Sequence, residues 1–213
     1  SYFHSADEPD GPEQVADYRK ARELLREFAP WMKVIDAMSD THFAVERLTD
    51  MPIPSIATAP EFTKADCPAW TYFCCGPRGG YLQRLHDTPL PKIRMAGWLF
   101  YRLGAKGFLH WGHNYWYVFC TGTIADPYTD PAVGAYPGLP YGDPFVVYPG
   151  ANGPVDSIRW EVFAESLQDY ALLQSAGIGP DDPLLDSLKD YQDFPKSEKW
   201  LADARESILK KKK

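Results

Sequence analysis

Two carboxylates stand side by side near the start of the chain, Asp7 and Glu8, in the string Phe3-His4-Ser5-Ala6-Asp7-Glu8-Pro9-Asp10. They fall where a short apolar run, Tyr2-Phe3, gives way to a loop closed by Pro9 and Gly11. Adjacent acids at a strand end suit acid/base work on sugars, because one group must give a proton while its neighbour stays charged. Their like charges push one of the two toward its protonated form. Read alone, the same string is also a solvated turn or a helix N-terminus, where acids favour the dipole. His4 is placed either to hydrogen-bond the acids or a sugar, or to serve as a structural histidine at the strand end.

Two more groups offer chemistry. Trp70 and Tyr72 alternate around Thr71 and so share one strand face, giving an indole wall and a hydroxyl, or else core packing with a satisfied hydroxyl. The run His110-Trp-Gly-His-Asn-Tyr-Trp116 is too polar for core. Trp111 and Trp116 offer indole floors to a sugar ring, and Asn114 offers a donor and an acceptor. His110 and His113 lack a third placed ligand, so no metal is expected.

The elements that must position these residues follow from periodicity. Residues 12–31 carry Val15, Tyr18, Ala21, Leu24, Leu25 and Phe28 at helical spacing. Strands are expected over 33–38, 53–58, 69–75 and 107–111, with a short helix from the Asp40-Thr41 cap to Leu48. A helix is expected over 89–103, with Pro89 and Pro91 in its first turn and Gly104 at its end. Residues 120–154, rich in Pro, Gly, Asp and Tyr, read as a long ordered loop. An amphipathic helix follows over 157–176, then two more near 183–190 and 195–210.

With Tyr2-Phe3 this makes about five strands alternating with helices, an α/β pattern with a parallel sheet. The polar residues follow the strands, as they do at the C-terminal face of a (β/α)8 barrel. Five strands do not close such a barrel. The expectation is therefore its last five β/α units in one domain over 1–213, completed by preceding polypeptide or by self-association that covers the sheet edges, or else an open sheet.

Composition narrows the partners. The chain has 213 residues, a net charge of -7 and no basic stripe, which argues against a nucleic-acid surface. The basic run Lys210–Lys213 reads as a solvated tail. Aromatic residues make up 15%, which suits a carbohydrate cleft. No apolar run of about 18 residues is present, so no membrane span is expected. Cys67, Cys74, Cys75 and Cys120 contain no CxxC pair, and Cys74-Cys75 on a strand would face opposite ways. Buried thiols are expected and a zinc site is not, with disulfides left open.

The segments HSADEP, AWTYFCCGPRGGY, TPLPKIRMAGWLFYRLGAKGFLHWGHNYW and DPFVVYPG with SIRWEVFAESLQDYALL, in that order, resemble the catalytic domain of glycoside hydrolase family 123. That group is related to β-N-acetylgalactosaminidases and is also catalogued as a domain of unknown function. The resemblance runs over residues 2 to about 176. It implies that the Asp-Glu pair follows the fourth barrel strand, so that strands one to three lie outside this chain. It implies hydrolysis of a terminal β-linked N-acetylhexosamine, N-acetylgalactosamine by preference, with the substrate's own acetamido oxygen as nucleophile. Glu8 would then be the general acid/base and Asp7 the carboxylate that orients the acetamido group. Tyr72 would donate to the acetamido oxygen. No metal or organic cofactor is implied, and a glycan is the expected partner. The family pattern places Ser directly before Asp-Glu, whereas here Ala6 holds that place and Ser5 stands one earlier. Arg84, Arg94 and Trp98 fit the family segment, and a helix-face salt bridge with packing explains them equally. The rival reading is a non-catalytic carbohydrate-binding or scaffold protein of the same fold.

Overall fold

The structure, a computed structural model, describes residues 2–134 and 138–211. Lys212 and Lys213 of the basic terminus, and residues 135–137 of the long loop, lie outside the described residues. The chain is mixed α/β with small sheets and divides into two compact units. One comprises Ser1–Phe73 with Leu103–Leu109, and the other Cys74–Arg102 with His110–Lys213.

The first unit is a run of short parallel strands in chain order. β1 (Tyr2–Phe3) pairs with β2 (Lys33–Ala37), Tyr2 opposite Lys33. β2 pairs with β3 (Met51–Ile53), Ile35 opposite Met51. The chain beyond β3 continues the ladder: Trp70 N–H donates to Pro52 O and Tyr72 N–H to Pro54 O, each at 3.1 Å, and Ser55 bridges Tyr72 in parallel. β4 (Thr71–Tyr72) then pairs with β5 (Phe108–Leu109). Because neighbours are parallel throughout, all five C-terminal ends open toward the same edge, and the residues that follow β1 and those of β4 meet there.

Helix α1 (Gly11–Phe28) starts on Pro12, whose fixed φ and missing N–H suit a first turn. It buries Tyr18 and Arg22. Tyr18 joins Met38, Phe43 and Leu48 in a core cluster, with Phe43 edge-on to its ring at 5.3 Å. Arg22 is held from within the unit: Nε donates to Leu48 O at 2.9 Å and Nη2 to Asp50 Oδ2 at 2.7 Å, while its buried Nη1 meets no hydrogen-bond partner among the described residues. Asp50 Oδ2 also receives the Val34 amide at 2.8 Å, which ties helix and strand together. The short helix expected after Asp40 is α2 (His42–Val45), with Asp40 accepting the His42 amide at 2.9 Å. The strand expected over 53–58 stops at Ile53. Ser55–Thr58 turn instead into α3 (Ala59–Lys64), a helix start marked by Pro60.

The second unit is built on helices. The segment expected as one helix over 89–103 is two, α4 (Leu90–Arg94) and α5 (Ala96–Arg102), divided at Met95, whose amide bonds three residues back to Lys92 O. α6 (Ile158–Ser175) is capped by Ser157, which accepts the Trp160 amide at 3.2 Å. α5 lies so close to α6 that a Cβ on Gly97 would sit 1.7 Å from Ser166 O. Buried Asp169 of α6 receives Arg94 Nε at 2.7 Å and the Trp98 indole N–H at 3.1 Å, and also pairs with Arg205 of α7 (Glu198–Lys211). Arg94 and Trp98 thus anchor helices by the ion pair and packing. The region near 183–190 forms only a 3-10 turn, Pro183–Leu185.

The long loop of 120–154 ends in a hairpin, β6 (Val147–Gly150) with β7 (Gly153–Asp156). Its pairing sets Pro149 opposite Pro154, residues that read as strand breakers in a sequence. The cysteines also depart from expectation. β4 ends at Tyr72, so the alternation of a strand does not reach Cys74-Cys75, and their sulfurs lie on one side, 3.7 Å apart. All four cysteines are free thiols, and Cys120 is exposed. Among the described residues no helix is long and apolar enough to cross a membrane.

Candidate active site

The loop after β1 is held by a carboxylate on the neighbouring strand. Asp36 is fully buried in β2, and its Oδ1 accepts the Ser5 amide at 2.7 Å and the Ala6 amide at 3.1 Å. Oδ2 accepts the Tyr18 hydroxyl at 2.7 Å. His4 Nδ1 lies 2.6 Å from Asp36 Oδ1 and 3.3 Å from Ile35 O. Burial pushes the Tyr18 phenol well above its usual range, so it stays a donor to Asp36.

Asp36 is inconspicuous in the sequence. Its only signal is a lone carboxylate in an otherwise apolar strand, Lys-Val-Ile-Asp-Ala. A charge buried at such a position needs partners, and here the partners are the backbone beside the acid pair and the Tyr18 hydroxyl.

Glu8 is fixed from two sides. Its amide donates to Ala37 O at 3.1 Å, and the Tyr72 hydroxyl donates to Glu8 Oε1. Its φ is 44°, in the left-handed region that a side chain enters at a cost of roughly 1–3 kcal/mol. Pro9 beside it is buried, whereas Asp7 and Glu8 are exposed. The first unit therefore brings together His4, Asp7, Glu8 and Tyr72 at the C-terminal ends of β1, β2 and β4.

Trp70, just before β4, stands edge-on to Tyr2 at 6.3 Å. Its ring fills the space a Cβ on Gly107 would need, only 2.5 Å away, so the glycine is what lets the indole lie under β5.

The remaining aromatic candidates belong to the second unit. Trp111 is 43% exposed, donates its indole N–H to Asp143 Oδ2 at 2.9 Å, and lies parallel to the His110 ring. Asn114 is exposed, and its backbone bridges Phe145. Trp116 donates its indole N–H to Val147 O at 3.0 Å and packs on the buried cluster of Ala125, Val133 and Phe145. His113 stands edge-on to Trp160 at 5.0 Å. Trp111 and Asn114 offer polar and aromatic surface to solvent, while Trp116 is committed to packing.

A carboxyl group braced by a tyrosine hydroxyl, next to a second exposed carboxyl, can exchange a proton with a bound molecule and hold a positive charge or an N–H group beside it.

The sequence model of the family described as "Glycoside hydrolase 123, catalytic domain" matches residues 1–176. No curated protein matches the sequence. Among solved structures, the chain is similar to a family 123 glycoside hydrolase from Clostridium perfringens, with a TM-score of 0.64 and 16% identity. That enzyme was analysed for glycolipid glycan hydrolysis. The similarity covers 99% of this chain and 39% of that enzyme, so the chain spans well under half of its neighbour's length.

Proposed function

The chain belongs to the glycoside hydrolase 123 catalytic-domain family, and from that membership we propose that it carries the acid-bearing part of a (β/α)8 glycosidase barrel. In this reading the five parallel strands in chain order correspond to five of the barrel's eight units. The substrate is a glycan with a terminal β-linked N-acetylhexosamine, N-acetylgalactosamine by preference, and a glycolipid is a fitting bearer.

The reaction proceeds with retention through the substrate's own amide. Glu8 gives its proton to the glycosidic oxygen as the bond from that oxygen to C1 breaks. The acetamido carbonyl oxygen attacks C1 from the opposite face, and the Asp7 carboxylate receives the acetamido N–H and holds the developing charge. Glu8, now a carboxylate, takes a proton from water, whose oxygen attacks C1 and reopens the oxazoline ring. The sugar leaves with its original anomeric configuration. His4 and Trp70 of the first unit are the proposed contributors to sugar binding beside the acids; within the second unit Trp111 and Asn114 offer aromatic and polar surface to a sugar, and Trp116 is committed to packing. Tyr72 braces Glu8 in the free protein, and donating to the acetamido oxygen would require it to release that bond.

The observation that carries this reading is the placement of Glu8, held in a left-handed turn between Ala37 O and the Tyr72 hydroxyl. A solvated turn of acids has no need of such bracing. The test is turnover of an aryl β-N-acetylgalactosaminide, its gluco epimer and the plain β-galactoside, with Glu8→Gln as control. Cleavage of the acetamido sugars alone, abolished in the control, is expected. Equal cleavage of the plain galactoside would overturn the substrate-assisted route. Sugar binding without turnover in both proteins would favour the non-catalytic reading.

A further inference from the structure

Cys74 and Cys75 lie in the second unit with their sulfurs 3.7 Å apart. A carboxylate oxygen of Asp143 joins them, and the three ligand atoms all lie within 4.8 Å of one another. Two thiolates bound at ~2.3 Å to one tetrahedral ion stand ~3.8 Å apart, so the observed spacing matches the edge of such a site. A disulfide would need the sulfurs at ~2.05 Å.

Asp143 is the second observation, a buried carboxylate with one loosely held oxygen. It is 1% exposed, and while Trp111 donates to its Oδ2, the buried Oδ1 accepts no hydrogen bond among the described residues. That oxygen makes a long contact with His110 Nε2 at 3.4 Å, and the His110 Nδ1 lies 2.8 Å from Gly112 O. Buried carboxylate oxygens are normally satisfied.

We propose that Cys74 Sγ, Cys75 Sγ and the Asp143 carboxylate bind one divalent cation of the zinc class, with water in the fourth position. His110 and Trp111 position the Asp143 carboxylate, as outer partners of metal ligands do. The absence of a CxxC pair made zinc unexpected from the sequence, but adjacent cysteines converge once the strand has ended.

The charges permit it. Arg84 and Arg159 both act on Asp143 electrostatically, so the pocket already holds positive charge. A divalent ion that displaces two thiol protons leaves the total unchanged. Binding through two thiolates releases protons.

The site is independent of the glycosidase reading and is tested without activity. The reduced, chelator-treated chain is titrated with Co2+ and then Zn2+. One equivalent of Co2+ should give tetrahedral visible bands and thiolate charge transfer in the near ultraviolet, displaced by Zn2+, with a dissociation constant of about 1 μM or tighter. Reactive thiols should fall from four to two on adding Zn2+ to the native chain. Cys74→Ser and Cys75→Ser should each lose the charge-transfer band, and Cys120→Ser should keep it. The thiol count needs no variant, so misfolding of a variant does not blunt the test. An unchanged thiol count, a charge-transfer band that survives in Cys74→Ser and Cys75→Ser, or no stoichiometric Co2+ binding would each overturn the proposal.

Discussion

Asp36 on β2 receives the Ser5 amide at 2.7 Å across 31 positions of sequence, and so sets the course of the loop that presents Asp7 and Glu8. This carboxylate touches no proposed reacting atom. It acts through the backbone, and removing it should disturb both fold and site. Asp36→Ala leaves two amides and a tyrosine hydroxyl without their acceptor, at a cost of about 3 kcal/mol in stability. Asp36→Asn keeps the shape but turns one oxygen into a donor, costing about 2 kcal/mol. Urea unfolding checks both values. In any soluble Asp36→Asn protein kcat should fall more than KM rises, because the acid is displaced while the sugar contacts persist.

Glu8 sits at φ 44°, where glycine is unstrained. Glu8→Gly should therefore raise stability by about 1 kcal/mol while abolishing turnover. Glu8→Gln keeps the strain and should lower kcat by about 10^3-fold. Tyr72→Phe leaves the acid in place without its brace, so a fall of about 10-fold in kcat is expected. Thermal melts beside the aryl-glycoside assay read both axes. A Glu8→Gly protein less stable than the native one would remove strain as a feature of the site.

Gly97 lets α5 lie close against α6. A Cβ there would meet the rigid backbone oxygen of Ser166 at 1.7 Å, so the helices must separate. Gly97→Ala should cost about 3 kcal/mol or more, despite alanine's better helix propensity. Asp169 is a related weak point, since its loss leaves Arg94, Arg205 and the Trp98 indole without a shared acceptor. Asp169→Ala should cost about 3–5 kcal/mol by the same unfolding measurement.

The outline of this arrangement is visible in the sequence. Strand β2 and the extents of helices α1 and α6 follow from the sequence, and the acid pair follows a strand, but the buried faces do not match the apolar spacing. Leu24 and Phe28 of α1 and Ile158 and Leu167 of α6 are exposed, while Arg22, Arg159, Ser166 and Asp169 are buried, the three charged ones because other elements supply their partners. Three features were not legible, each for a physical reason. Asp36 looks like a break in an apolar strand, because the amides and the Tyr18 hydroxyl that satisfy it come from elsewhere in the chain. The β6–β7 hairpin is hidden by Pro149 and Pro154, which sit opposite one another in a two-stranded ribbon that tolerates their missing donors. The alternation of a strand running to residue 75 puts the two cysteines on opposite faces, whereas the strand ends at Tyr72.

His86 supplies a pH dependence. Its ring stands edge-on to Phe145 at 5.9 Å, its Nε2 faces the Tyr148 hydroxyl at 3.2 Å, and Gly142 closes over it. Burial first, then the positive charge of Arg159, holds its pKa down to about 4, against about 6.5 for a free imidazole. Folding therefore disfavours the protonated ring. Above about pH 6.5 both states hold it neutral and His86 has no effect on stability. As pH falls from there toward 4 the unfolded chain takes up the proton first, so stability declines, and below 4 the loss levels off. Part of the ring meets solvent, which keeps the loss small. An NMR titration should place His86 near 4. His86→Gln should flatten the acid limb of the stability curve relative to the native chain, and a normal imidazole titration would show that the ring is hydrated instead of packed.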